Sequence, residues 1–502
     1  MSQSPIRSVA IVGGGTAGWM AAVALSHLLP KNAARIRLIE SEEIGIVGVG
    51  EATVPHIRNF NATVGIDERD FMRETLATIK LGIEFRNWNK IGDGYFHPFG
   101  YFGRPIGGLA FHQCWRRLRE GGDQTDIGAY SVGVTAARKR KFAPPVSDPE
   151  SALSSYSYAF QFDANLYAPY LRRLAEGRGV LRTEGKVVSV ELGGEDGNIQ
   201  SVTLADGQRV EADFFIDCTG FASLLLGKAL KTGYEDWSRW LICDRAVAVP
   251  SVLEGDPFPF TRVIARGHGW QWQIPLQHRM GNGHVYSSQF LGAEQAANVL
   301  LDNLPGKQLA EPRQFRFTAG RRAQSWAKNC IGVGLAGGFL EPLESTSIYL
   351  IQIAVTHFVE LFPTHARDSI NRAEFNRRME IEYERIRDFL ILHYKATSRA
   401  DSEFWRYCQA MEVPDSLAYK MEQFTKRGYV VPYREGMFYP PSWIAVCLGQ
   451  GLIPERYDPQ IDRLDGKKLT ETASALRGLI DRAVDSLPSH ADFLASLAAP
   501  AA

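Results

Sequence analysis

The chain has 502 residues, 45% of them hydrophobic and 22% charged; roughly 150 residues per domain allows about two to four units, or one large discontinuous one, around a sizeable core. Its 56 basic and 56 acidic residues cancel to a net charge of zero, which argues against nucleic acid or an anionic membrane as partner and for small molecules. Six scattered cysteines (Cys114, Cys218, Cys243, Cys330, Cys408 and Cys447) form no C-x-x-C pair, and no apolar run approaches the roughly 18 residues of a membrane span, so a soluble, cytoplasmic chain without metal or disulfide framework is expected.

Residues 8–29, SVAIVGGGTAGWMAAVALSHLL, open the chain. The spacing predicts a strand over 9–12, the turn G-x-G-x-x-G at Gly13, Gly15 and Gly18, a helix over 19–29, and a second strand over 36–39 that ends at Glu40. In that order each residue has a job at a dinucleotide. Gly13 permits the tight turn, Gly15 admits the pyrophosphate, Gly18 lets the helix pack on the sheet, and Glu40 reaches a ribose hydroxyl. The motif does not separate FAD from NAD, although a fingerprint at the front of a long chain suits FAD.

A glycine-rich loop follows at 44–55, IGIVGVGEATVP. Lys80 stands in TIKLGIEFRNWN (78–89); a lysine taken alone is a solvated side chain, and only its apolar neighbours suggest otherwise. Residues 121–150 are polar and basic and read as an excursion or lid. Strand-like alternation fills 180–290, with turn signals at 193–194, 206–207 and 281–283, and predicts a substantial antiparallel or mixed sheet. Two strands, in DFFIDCTG (213–220) and IGVGLAGGFL (331–340), run into glycine turns and suit a return to the cofactor sheet. In GWQWQIP (269–275), Trp270 and Trp272 share one strand face, which by itself reads as core.

EPLESTSIY (341–349) puts Ser345, Thr346 and Ser347 at a helix start, where unpaired N–H groups favour an anion, with Glu344 beside them. Ordinary capping explains the same pattern. Helical periodicity then covers 347–361, 372–394, 416–427 and 469–497. The expected fold is α/β (α+β): a Rossmann-type FAD body with a mixed or antiparallel substrate sheet over 1–345, and a mainly helical part over 346–502 that completes the substrate site.

These segments together resemble the flavin-dependent halogenases, in particular the tryptophan-halogenase-like group. The resemblance runs over most of the chain. It rests on GGGTAG (13–18), GVGEATVPHIRNF (48–60), KLGIEFRNW (80–88), YFHPF (95–99), GWQWQIP and GFLEPLESTSIY (338–349). It implies FAD, used as FADH2 and supplied by a separate flavin reductase. Gly13, Gly15, Thr16, Ala17, Gly18 and Glu40 would hold the ADP half, and Val47, Gly50, Ala52 and Thr53 would form a strap over the flavin. Val187, Leu335 and Ile348 complete the cofactor contacts. A halide, bromide or chloride, would sit on the N–H groups of Thr346 and Ser347 and attack a flavin hydroperoxide, giving hypohalous acid. Lys80 would present the halogen, by a hydrogen bond or as a haloamine, and Glu344 would stabilise the arenium ion and take its proton. Trp270, Trp272, Ile274 and Pro275 would line the passage that keeps the arene from the flavin. The resemblance also suggests a homodimer.

Two departures alter the expectation. Ser347 stands where the family often has glycine, so bromide is expected to work at least as well as chloride. In 433–451, YREGMFYPPSWIAVCLGQG, the adjacent tyrosines and acidic residue that grip free tryptophan are not recognisable. An indole-like arene without that clamp is the expected substrate, with His97, Phe99, Phe438, Tyr439 and Trp443 as candidates to sandwich it. The runner-up is a flavin monooxygenase that hydroxylates an arene; Lys80 and W-x-W-x-I-P speak against it, and Lys80 and Glu344 together speak against a catalytically silent flavoprotein.

Overall fold

The computed structural model describes residues 5–43, 50–365 and 368–498. The chain divides into two compact units, each assembled from three segments. One comprises Met1–Leu76, Phe162–Asp244 and Arg316–Glu384; the other Ala77–Gln161, Arg245–Phe315 and Arg385–Ala502. Residue 345 lies within the last segment of the first unit.

The first unit is built on a six-stranded sheet in the order Trp326–Ala327, Cys330–Gly332, Phe214–Asp217, Ser8–Val12, Arg35–Glu40, Leu181–Glu184. All neighbours are parallel except the first pair. Val9, Ala10, Ile11 and Val12 are all buried, as expected for a parallel strand covered on both faces. The crossover helix runs Thr16–Leu28 and buries Gly18 through Leu25. It starts earlier than the apolar spacing predicts, because Thr16 and Ala17 already belong to its first turn. It stops where Leu29 turns extended before Pro30, the conformation a residue preceding proline prefers. A small antiparallel sheet, Val187–Leu192, Ile199–Leu204 and Arg209–Glu211, supplies Ile199, Val202, Leu204 and Val210 to a core with Ala10, Val12, Ile39 and Phe215. The stretch 331–340 is, as expected, a strand that runs into a glycine turn. It breaks into Cys330–Gly332, a 3-10 turn at Gly334–Ala336 and Gly338–Phe339, because Gly334 takes a positive φ of 66°.

The second unit carries a seven-stranded mixed sheet in the order Arg313–Arg316, Arg245–Ser251, Met280–Tyr286, Gly269–Pro275, Thr261–Arg266, Gly82–Arg86, Gly94–Pro98. Thr261–Arg266 and Gly82–Arg86 run parallel, and the strands from Arg245–Ser251 through Met280–Tyr286 and Gly269–Pro275 to Thr261–Arg266, like Gly82–Arg86 and Gly94–Pro98, pair antiparallel. The glycines at 281–283 do not turn the chain; they lie inside Met280–Tyr286. Gly283 pairs with Trp272, and a Cβ there would overlap the Trp272 ring, so the missing side chain gives the indole room to lie against its neighbour strand. The actual reversal is at 276–279, where Leu276 N–H donates to Arg279 C=O at 2.9 Å.

Residues 121–150 are folded into this unit: Ile127, Tyr130, Val132, Val134, Ala136 and Ala137 are buried on a 3-10 turn and the helix Val132–Arg138, and Phe142 is buried just after them. Of the predicted helices, Ser347–Glu360, Ser369–Lys395 and Asp415–Arg427 form close to the expected bounds. The stretch 469–497 forms two, Gly466–Asp485 and His490–Ala498. Pro488 separates them, since it lacks an N–H and its ring clashes with the carbonyl four residues back.

Candidate active site

In the first unit, the three motif glycines are distinguished by their surroundings. Gly13 has a φ of +114°, and a Cβ there would overlap the Cys218 carbonyl oxygen. This is where DFFIDCTG returns to the turn: Cys218 N–H donates to Val12 C=O at 2.8 Å. Asp217, buried at the end of that strand, accepts from Thr219, Leu225 and Leu226 N–H groups at 2.8–3.0 Å. Burial pushes its carboxyl up, against those hydrogen bonds. A Cβ on Gly18 would overlap the Gly13 carbonyl oxygen, whereas one on Gly15 would meet nothing within 4 Å. Gly15 is also the helix N-cap, with no side-chain cap, so open space and unpaired N–H groups coincide, as a pyrophosphate requires.

That contrast gives a prediction. Gly15→Ala, at an ordinary φ of −75°, is expected to fold normally and to weaken FAD binding by about tenfold, or about 1.4 kcal/mol. Gly18→Ala is expected to lower stability itself by about 1–3 kcal/mol through overpacking. Thermal melts beside FAD titrations separate the two.

Glu40 ends the second strand. Its carboxylate accepts from Arg182 Nε at 2.6 Å and Trp19 Nε1 at 3.2 Å, which fixes it next to the glycine turn: a Cβ on Gly14 would overlap it. Leu335 lies in the turn after Gly334, where a Cβ would stand 3.0 Å from the Ala17 Cβ. Ile348 is buried in the first turn of Ser347–Glu360. Val187 is partly buried against the core that holds Val12 and Ile39. Gly50 and Ala52 form a short strand and Thr53 is buried; Val47 lies outside the described residues.

The segment around Glu344 is a 3-10 turn at Pro342–Glu344, then Ser345 at φ +59°, then Thr346 as N-cap of the helix Ser347–Glu360. A non-glycine residue in the left-handed region is uncommon. Glu341 and Glu344 are each 1% exposed and Thr346 is fully buried. The Thr346 hydroxyl caps nothing and has no hydrogen-bond partner. An unsatisfied hydroxyl beside the unpaired N–H groups of a helix start is a site that wants an acceptor. Simple capping, the alternative reading, would have paired it.

Four residues of this unit that form one group were not singled out from the sequence. His56 Nδ1 meets Gln352 Oε1 at 3.0 Å, and its ring stands edge-on to Tyr349 at 5.1 Å. Tyr349 donates to Glu382 Oε2 at 2.8 Å. The group joins the end of GVGEATVPHIRNF to the helix that begins at Ser347. The i, i+3 spacing of Tyr349 and Gln352 is the only trace of it in the sequence. Half-buried Glu51, between Gly50 and Ala52, is a fifth such residue: desolvation pushes its carboxyl up to about 7, into the range of a proton carrier near neutrality.

In the second unit, Lys80 ends the strand Thr78–Lys80, which pairs with Ala159, Phe160 and Gln161. It is 0% exposed, with Nζ 5.2 Å from the Phe99 ring centre. Burying an ammonium is costly, so this is not the solvated lysine that composition alone suggests. All seven residues of Gly269–Pro275 are buried. Trp270 and Trp272 lie 6.0 Å apart, ring to ring. Because the second face is also covered, Gln271 and Gln273 are paired rather than solvated: Gln271 donates to Asn303 C=O at 3.1 Å and accepts from Arg266, and Gln273 accepts from Arg262 at 3.3 Å. Pro275 contributes through its carbonyl, which accepts from the Thr78 hydroxyl at 2.7 Å and ties the tryptophan strand to the lysine strand. Ile274 is buried beside it.

His97, Phe99, Phe438 and Trp443 are brought together around Phe389, which the sequence did not reveal. Phe389 stacks on Phe438 at 3.9 Å and meets Trp443 and His97 at 5.2 and 5.7 Å; His97 and Phe99 are 6.5 Å apart. Phe438 turns inward through a φ of +69°, and Tyr439 is left 71% exposed, so it is not part of the group. Beyond Trp443 lies Lys420, 4% exposed, its Nζ 4.3 Å from the Trp443 ring and 3.7 Å from the Tyr433 ring. Burial, with Arg385 nearby, pushes its ammonium down to about 8.

The glycine turn, the helix start at Thr346, the buried lysine and the double-tryptophan strand all lie within residues 8–466, which match one family's profile, described as Tryptophan halogenase. The chain belongs to the tryptophan halogenase family. It is 47% identical to BrvH, a flavin-dependent halogenase from Brevundimonas sp. BAL3, with a TM-score of 0.94 over 98% of this chain and 99% of that one. It is 45% identical to Xcc4156, a flavin-dependent halogenase from Xanthomonas campestris, with a TM-score of 0.95 over 99% and 100%. Over 515 residues it is 33% identical to the 7-chloro-L-tryptophan 6-halogenase KtzR of Kutzneria sp. (strain 744), spanning 97% of this chain and 99% of that one. The protein is therefore a flavin-dependent halogenase. Membership implies FAD, and the open side of Gly15 fits it. Among the described residues there is no group of three or more side chains that could hold a metal, and no helix long and apolar enough to cross a membrane.

Proposed function

We propose that this halogenase forms hypohalous acid from oxygen and halide and transfers the halogen to an electron-rich, indole-like arene. The observation that carries this reading is Lys80: a completely buried lysine on a strand tied by Thr78 to the tryptophan strand. Bound flavin, as FADH2 delivered by a separate reductase, would supply the two electrons with which oxygen is activated to oxidise the halide, since the sequence carries a single dinucleotide fingerprint. Gly13, Gly15, Thr16, Ala17, Gly18 and Glu40 hold its ADP half, Gly50, Ala52 and Thr53 cross it, and Val187, Leu335 and Ile348 complete the cradle. The N–H groups of Thr346 and Ser347 hold the halide, a role supported by the unpaired Thr346 hydroxyl.

Lys80 then fixes the electrophilic halogen, as a hydrogen-bonded acid or a haloamine, opposite one ring carbon. Glu344 stabilises the cationic ring and removes its proton. Trp270, Trp272, Ile274 and Pro275 form a wall that keeps the arene from the oxidant, so halogenation outruns hydroxylation. His97, Phe99, Phe438 and Trp443 hold the ring. With no recognisable amino-acid clamp in 433–451, indole is expected to outperform free tryptophan. Mass spectrometry of products from indole and tryptophan, with FAD, a reductase with NADH, oxygen and bromide, tests this. Brominated indole is expected; hydroxyindole would instead favour the monooxygenase.

Bromide is expected to be used at least as well as chloride. It is the larger and less tightly hydrated ion, so less is lost when it enters a buried site, and Ser347 adds a side chain where the family often has glycine. Equimolar bromide and chloride in one reaction check this, and a strong excess of chlorinated product would refute it.

A further inference from the structure

The lysine strand is three residues long, and its position is held from elsewhere. Both main-chain polar groups of Ile79 are taken by side chains. Its C=O accepts from Gln161 Nε2 at 3.4 Å, and its N–H donates to His490 Nε2 at 3.2 Å. Gln161 Nε2 also donates to the Thr78 hydroxyl at 3.1 Å, and Thr261 donates to Gln161 Oε1 at 2.9 Å. The Ile79 carbonyl can only accept, so it is the NH2 end of the amide that faces the strand. His490 Nδ1 lies 2.8 Å from the Pro257 carbonyl, which can only accept, so Nδ1 carries the proton and Nε2 is the acceptor for Ile79. His490 is 1% and Gln161 0% exposed.

The imidazole reaches this place from 411 positions away, because the C-terminal helix is fastened by its start. His490 N–H donates to Arg140 C=O at 2.8 Å, Phe142 N–H donates to Pro488 C=O at 3.2 Å, and Phe142 stands edge-on to Phe493 at 4.7 Å. Burial holds His490 down to about 4. The neutral ring that both bonds require is thus the form present at any working pH.

We infer that His490, together with Gln161, is a positioning residue for Lys80: the pair fixes the peptide from which the lysine projects. The inference rests on the proposed role of Lys80. A long side chain amplifies any tilt of its backbone, and a misplacement of about 1 Å at a reacting group costs on the order of a hundredfold. The neutral imidazole offers one donor and one acceptor on opposite sides of the ring. Leucine offers neither, and glutamine offers both.

The test compares wild type, His490→Leu, His490→Gln, Gln161→Met and Lys80→Ala, all loaded with FAD. Three readouts are taken: brominated indole, hypobromous acid caught by monochlorodimedone, and the melting curve. For His490→Leu, brominated indole per trapped acid is expected to fall about tenfold or more, with the KM for indole unchanged. His490→Gln should recover to within about threefold. Gln161→Met should shift the same ratio, and it stands in if His490→Leu does not fold. A purely structural role would lower both products together with the folded fraction, and that result overturns the inference. So does a wild-type ratio in His490→Leu. If Lys80→Ala also keeps the wild-type ratio, the fault lies in the reading of the lysine itself, and the inference falls with it.

Discussion

Lys80→Ala is expected to abolish arene halogenation for practical purposes, a loss of about 10²–10⁴-fold, while FAD binding and formation of hypohalous acid continue. The residues proposed to bind flavin and halide, Gly13 to Gly18 and Thr346 to Ser347, belong to the first unit; Lys80 belongs to the second. On the proposed roles, removing the amine is expected to leave the making of the oxidant intact and to remove its delivery. The released acid should appear in a dione trap at close to the wild-type rate. Truncation also empties a fully buried site, so some stability is lost, by analogy with Met→Ala about 2–5 kcal/mol. Lys80→Met keeps most of the stem and separates the two effects: it should melt near wild type and halogenate as poorly as Lys80→Ala.

Glu344→Gln is expected to lower halogenation about 10²–10³-fold with an equally intact supply of hypohalous acid. Glutamine has the shape of glutamate and can still hydrogen-bond, but it neither takes the ring proton at neutral pH nor balances the charge on the arenium ion. The two substitutions should differ in one respect. The charge removed by Glu344→Gln lies two residues from Thr346, so the KM for bromide should not rise. A rate of arene halogenation within about threefold of wild type would exclude the general-base role. Single-turnover product formation with pre-formed FADH2 is the appropriate measurement, because it bypasses the reductase.

How far the sequence anticipated this site depended on how local each feature is. The strand, glycine turn and helix at 9–28 were legible because backbone conformation and apolar spacing are decided by near neighbours. GWQWQIP was legible as a strand for the same reason. The glycines at 281–283 were misread as a turn, because the reason for Gly283 is the Trp272 ring on the adjacent strand. The helix at 469–497 was read through Pro488, where a local breaker should have been given more weight than amphipathic spacing. Phe389 and His490 could not be read at all: their partners, His97 and Ile79, are supplied by strands hundreds of residues away. The interleaving of the two units was hidden for the same reason. Their six segments carry no linker composition at their boundaries, since the crossing points fall in strands, a helix or short loops.

The most direct test of the central claim, that Lys80 delivers the halogen, is an account of where the oxidising equivalents go. Wild type and Lys80→Met would be run with indole, bromide, FADH2 and oxygen, and brominated indole, trapped hypobromous acid and any hydroxylated product would be measured per oxygen consumed. The expected result is brominated indole from wild type and trapped acid from Lys80→Met, at similar totals. Brominated indole from Lys80→Met at the wild-type rate, or hydroxyindole from wild type, would contradict it.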